Sequence, residues 1–96
     1  MAIKGNTTAV NGVSTEIIPE DLLYGGVFIK NTGTVQVHLT WGASAAAIDE
    51  GVILEAAGTA GDLFQLSLGS GSKFPGACYA WADGANCDLQ WHVFPV

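Results

Sequence analysis

The segment VQVHLTW at residues 35–41 places apolar and polar side chains in strict alternation. Val35, Val37, Leu39 and Trp41 fall on one side, and Gln36, His38 and Thr40 on the other. Successive side chains of an extended chain point to opposite faces, so this reads as a half-buried strand with an uncharged outer face. The same period recurs at residues 87–94 (CDLQWHVF), where Cys87, Leu89, Trp91 and Val93 oppose Asp88, Gln90, His92 and Phe94. A chain whose most regular segments carry this period, with no convincing helical repeat, must build sheets and bury one face of each.

Turn signals separate the apolar runs at the short spacing of all-β sandwiches and barrels. They fall at Asn11-Gly12, Pro19, Asn31-Thr32-Gly33, residues 42–51, AAGTAGD at 56–62, GSGSKFPG at 69–76 and Asp83-Gly84. The expected strands cover residues 13–18, 27–31, 35–41, 52–55, 63–68, 77–82 and 87–94. Asn31-Thr32-Gly33 and Asp83-Gly84 each read as a hairpin turn. Val27 to Ile29 is apolar on both faces. The expected architecture is all-β: a single antiparallel β-sandwich or β-barrel-like domain of seven or eight short strands at residues 10–96, behind a flexible N-terminal arm at residues 1–9.

Charge narrows the range of partners. The 96 residues carry a net charge of −6, with no Arg and only Lys4, Lys30 and Lys73 as fixed cations. Nucleic-acid affinity rests on Lys and Arg neutralising phosphates, and anionic membranes attract the same clusters. Both partners are therefore unexpected. No apolar run approaches the roughly 18 residues of a membrane span. MAIKGNTTAV has no apolar signal core, so the expectation is a chain made and kept in the cytoplasm, or one that leaves without a Sec signal. Charged residues are 12% of the chain, against about 25% in an ordinary domain. A surface so poor in charge suits either a compact β-domain rich in Ala, Gly, Ser and Thr or, the reading preferred, a domain covered by other protein copies, since obligate interfaces resemble cores.

No catalytic, cofactor or metal site emerges from the residue pattern. His38 and His92 stand alone on the polar side of their strands, where cross-strand surface or interface positions explain them, and metal sites usually take three or four ligands. The neighbours Glu20-Asp21 and Asp49-Glu50 point apart on an extended chain, so neither pair forms an acid–base dyad. GSGS lacks the strand-to-helix elbow of a serine nucleophile and the spacing of a phosphate loop. Cys78 and Cys87, on the two arms of the expected terminal hairpin, leave three readings open: a redox pair or metal half-site, a cross-strand disulfide, or buried reduced thiols. Trp41 and Trp91 belong to apolar rows and should pack in the core, whereas Trp81 is the tryptophan to expect at the surface.

Four segments together carry a resemblance: Ile17-Ile18-Pro19, the strand and turn at residues 27–33, the alternating strand ending in Trp41-Gly42, and GVILEAAG at residues 51–58. Their order resembles a group of small β-sandwich virion proteins of tailed bacteriophages, over roughly residues 10–58. The chain departs from that pattern in EAAGTAGD, where a Pro-Gly turn is usual, and in its longer Cys-containing terminal segment.

The resemblance implies a structural protein of the virion, assembled in the host cytoplasm. Its expected role is capsid decoration, binding the major capsid protein from outside and stabilising the shell. The alternative is a receptor- or carbohydrate-binding module of a fibre or tail. Self-association is also implied, trimers being common among capsid cement proteins. The expected contact residues are Ala2, Ile3, Lys4, Asn6 and Thr7 in the arm, Ala45, Ala46 and Ile48 in the Ala-rich loop, Lys73 and Phe74 in the Gly/Ser loop, and Trp81.

Overall fold

A computed structural model describes residues 3–19, 24–42, 51–69, 72, 74 and 76–95. Eight strands follow in order: β1 (Lys4–Ala9), β2 (Thr15–Ile18), β3 (Tyr24–Asn31), β4 (Val37–Trp41), β5 (Val52–Leu54), β6 (Leu63–Ser67), β7 (Cys78–Ala82) and β8 (Cys87–Pro95). They form two four-stranded sheets of order β1-β8-β3-β6 and β2-β7-β4-β5, with antiparallel strand pairs throughout. The fold is all-β, as expected, and consistent with a β-sandwich. No helix occurs among the described residues.

The alternating row of β8 does what its period requires, whereas in β4 His38 is buried along with Val37 and Leu39, and Trp41 is half-buried. Cys87, Leu89, Trp91 and Val93 of β8 are buried, while Asp88, Gln90 and Phe94 are exposed and His92 is half-buried. The inner row of β8 meets Val27 and Ile29 of β3 at Val93 and Trp91. Ile17, Ile18, Val37, Leu39 and Leu54 from the second sheet complete the interior. An aromatic cluster adds to it: Phe74 stacks on Tyr24 and Trp41 at 5.1 and 5.3 Å, and the Trp41 indole donates to Tyr24 Oη at 3.0 Å. Such a pair buries large rings while keeping both polar tips bonded.

Several expectations need correction. Lys4–Ala9 is not an arm but an edge strand, paired residue for residue with β8. Its inward row is Gly5, Thr7 and Ala9, too small and polar to show as a hydrophobic period. Trp91 occupies the space that Gly5 leaves, since a Cβ there would lie 2.8 Å from the indole. Removing residues 1–8 would therefore strip a strand from its sheet.

Neither expected hairpin forms. β3 and β4 lie in different sheets, as do β7 and β8, so both turns carry the chain across the sandwich. At the first crossing the chain bonds to distant segments instead of its neighbour: Asn31 N–H donates to Asp62 O at 2.8 Å and Thr32 N–H to Asp88 O at 3.0 Å. At the second, Asp83 N–H donates to Gln36 O at 3.0 Å and Gly84 N–H to Asn11 Oδ1 at 2.8 Å. Asn-x-Gly and Asp-Gly supply tight reversals, and that chemistry serves an inter-sheet arch as well as a hairpin.

The cysteines follow from this topology. Cys78 lies opposite Ile18 and Trp41 in one sheet, and Cys87 opposite Ala9 in the other. Both are buried free thiols, so the disulfide reading is set aside. His38 is not a surface residue: it is 2% exposed, between Trp81 and Ile53, and neither ring nitrogen has a hydrogen-bond partner.

Candidate binding face

The β1-β8-β3-β6 sheet turns a second row of side chains outward. Register sets Lys4, His92 and Phe28 side by side across β1, β8 and β3, with Asn6, Gln90 and Lys30 in the next row. An open groove of about 500 Å³ lies here, lined by Lys4, Gly5, Asn6, Phe28, Gln90, Trp91 and His92. The His92 ring stacks on Phe94, with centroids 4.8 Å apart and planes at 21°. Gly26 makes room for this: a Cβ there would stand 3.1 Å from the Phe94 ring. Phe94 remains 43% exposed, an aromatic surface beside the groove. Below, Thr8 Oγ1 donates to Asp88 Oδ1 at 2.6 Å.

The lining thus combines one ammonium, one imidazole, two amides and the aromatic residues Phe28 and Trp91 on a paired sheet. Backbone ladders on three strands set the register of the residues that carry the donors, and the Phe28 ring supplies area at little entropic cost. Lys4 and Lys30, the two described cations of the acidic chain, both belong to this face. Among the described residues no group of three or more His, Cys, Asp or Glu side chains is placed to hold a metal ion.

The opposite sheet presents a different surface. Glu16, Tyr79 and Thr40 form one outward row; in the next, half-buried Trp81 and exposed Ile53 flank His38, which is itself enclosed. Tyr79 Oη reaches Glu16 Oε2 at 3.5 Å, and Gln36 Nε2 donates to both Glu55 oxygens at 3.0 and 3.2 Å. Glu16 and Glu55 lie on this side, whereas Lys4 and Lys30 share the other with Asp88.

The expected contact residues are distributed between these surfaces and the interior. Lys4 and Asn6 line the groove. Ile3 stands exposed at the edge, its carbonyl accepting from Val93 N–H at 2.8 Å. Thr7 faces inward, where Oγ1 accepts from Trp91 Nε1 and donates to Ile17 O, each at 3.2 Å. Phe74 is buried in the aromatic cluster and is not a surface contact. Trp81 is half-buried on the far sheet. Ala2, Ala45, Ala46, Ile48 and Lys73 lie outside the described residues.

Phe28, Gln90, His92 and Phe94 were not anticipated as a group. The β8 members were visible as the outward row of CDLQWHVF, but Phe28 was hidden in a run apolar on both faces. No protein-family model matches the chain, and no curated protein or solved structure is detectably similar to it.

Proposed function

We propose that the protein is a non-enzymatic structural binding module, and that it acts as a capsid decoration protein on the outside of a phage head. The observation that carries the binding reading is the outer β1-β8-β3-β6 face. It gathers Lys4, Lys30, His92, Phe28 and Phe94 in an acidic chain otherwise poor in charge. The phage setting rests on the sequence resemblance. In this reading the face seats on the major capsid protein. A ligand that binds only the assembled shell stabilises it by mass action.

The test is quantitative mass spectrometry of purified particles together with co-sedimentation on shells that lack the protein. Decoration requires many copies per particle and loss of co-sedimentation in Lys4→Glu protein that keeps its fold. Absence from particles, or undiminished binding by that variant, overturns it. The alternative is a saccharide- or receptor-binding module of a fibre or tail. The Phe28 ring with the amides of Asn6 and Gln90 beside it favours this second reading. It predicts few copies per particle and chemical-shift changes at Phe28 and His92 with a glycan.

A further inference from the structure

The four sheet edges are not alike. β1 carries Lys4 and Gly5, β2 carries Glu16, a bulge and the following Pro19, and β5 is only three residues long. Charges, bulges, proline and shortness are the devices that keep an edge from pairing with another chain. β6, LFQLS, has none of them: it is uncharged, free of proline, and regular in its register with β3. Leu63 and Leu66 are each 44% exposed. Leu66 belongs to the inward row, opposite buried Val27, yet the sandwich leaves it uncovered.

The ladder shows which backbone groups of β6 are unspent. Asn31 N–H donates to Asp62 O, and Leu68 N–H donates to Gly25 O. In an antiparallel pair hydrogen-bonded positions alternate, so residues 62, 64, 66 and 68 direct their backbone groups to β3. Leu63, Gln65 and Ser67 direct theirs away from the sheet, where no strand pairs with β6 among the described residues.

We propose that this edge is a self-association surface, at which β6 pairs antiparallel with β6 of a second copy. The two four-stranded sheets then run on as one sheet about a two-fold axis at Gln65. The register is dictated by the unspent groups. Centring on Gln65 places it opposite itself and Leu63 opposite Ser67, so the outward groups of all three residues are used on both strands. Centring on Phe64 or Leu66 leaves one residue of the three unpaired in each copy. The Gln65 register also sets Phe64 opposite Leu66 twice, at non-hydrogen-bonded positions where cross-strand side chains come closest. The exposed inward Leu66 then gains an aromatic neighbour. No charged residue of β6 faces another across the axis, so a second copy fits despite the net charge of −6. This inference does not rest on the phage reading.

The test is sedimentation equilibrium combined with amide hydrogen exchange of the intact chain. At about 1 mM, far above a micromolar Kd, the 9.9 kDa chain should sediment at twice its mass. The amides of Leu63, Gln65 and Ser67 should exchange at least tenfold more slowly there than in dilute protein. Gln65→Lys puts like charges opposite each other on an exposed position and should yield a folded monomer. A wild-type monomer at that concentration overturns the proposal. So does a dimer in which those three amides exchange freely. The exchange measurement decides the matter even if the variant fails to fold.

Discussion

Asn31 Oδ1 lies 3.0 Å from Cys87 Sγ in the buried interior, joining the end of β3 to the start of β8. The same oxygen accepts from Gly33 N–H at 2.8 Å, and Asn31 Nδ2 donates to Val35 O at 2.8 Å. One side chain, fully buried, therefore holds the arch that carries the chain from one sheet to the other. Asn31→Ala would leave Gly33 N–H and Val35 O without these partners. Both groups are only part-buried and Val35 O keeps Cys87 Sγ at 3.5 Å, so urea unfolding should show a loss at the low end of the about 1–3 kcal/mol per unsatisfied buried group, roughly 1–2 kcal/mol.

Gly33 is required by proximity. A Cβ at this position would overlap Cys87 Sγ. Gly33→Ala should destabilise by about 2 kcal/mol through overpacking. Cys87→Ala in the same chain should recover part of that loss, read as a coupling term in a double-mutant cycle. Additive effects would mean that the two positions do not touch.

His38 has the opposite character. Its ring is buried and neither nitrogen is bonded. A ring of similar shape without polar atoms removes that desolvation penalty, so His38→Phe should raise stability by about 1 kcal/mol. Thermal unfolding at neutral pH reads this directly. A lower Tm would show that a partner holds the imidazole.

The thiols should be inert in the native protein. Both are buried, and burial pushes the Cys78 thiol well above its ordinary value, so almost no Cys78 thiolate forms near neutrality. A disulfide-exchange reagent at pH 8 should titrate less than one thiol per native chain, rising to both cysteines after unfolding in denaturant. Rapid reaction of both in native protein would contradict the packing.

Alkali should weaken the fold through Tyr24. Burial raises its hydroxyl from 10.0 to about 12, against the smaller opposing effect of the Trp41 hydrogen bond. The unfolded chain therefore loses this proton first. Stability tied to Tyr24 is complete below pH 10.0 and declines as pH rises from there through about 12. At about 1.4 kcal/mol per pKa unit the loss is on the order of 3 kcal/mol. The raised Cys78 thiol adds a loss of the same sign, beginning near its ordinary value of 9.0. Tyr24→Phe should flatten the steeper part of the alkaline limb in denaturant titrations between pH 9 and 12. An unchanged limb would assign it to other groups.

The strands with strong alternation were legible in the sequence because side-chain period is a local property. Residues 37–41 and 87–94 declared their buried rows before any partner was known. β1 was not legible, since Gly5, Thr7 and Ala9 bury without looking apolar. The arches were not legible either. Whether Asn31-Thr32-Gly33 closes a hairpin is decided by Asp62 and Asp88, far along the chain. His38 was misplaced for a related reason: the row opposite an apolar row reads as solvent-facing, yet here it is enclosed. The groove needs β1, β3 and β8 side by side, and no single strand carries more than three of its seven lining residues.

The position of β8 at the middle of its sheet governs the order in which this molecule can be assembled. β1 pairs with β8, and β3 needs β8 on one flank, yet β8 is the last of the eight strands to be synthesised. Until it emerges, β1 has no strand to pair with and the inward residues of β3 have no neighbour on that side. A nascent chain therefore passes through a long interval in which its most apolar segments are made but not matched. Pairing that joins such distant segments is slow, and exposed strand edges invite association in the meantime. Folding of this domain should wait for its final strand and then complete in a single cooperative step.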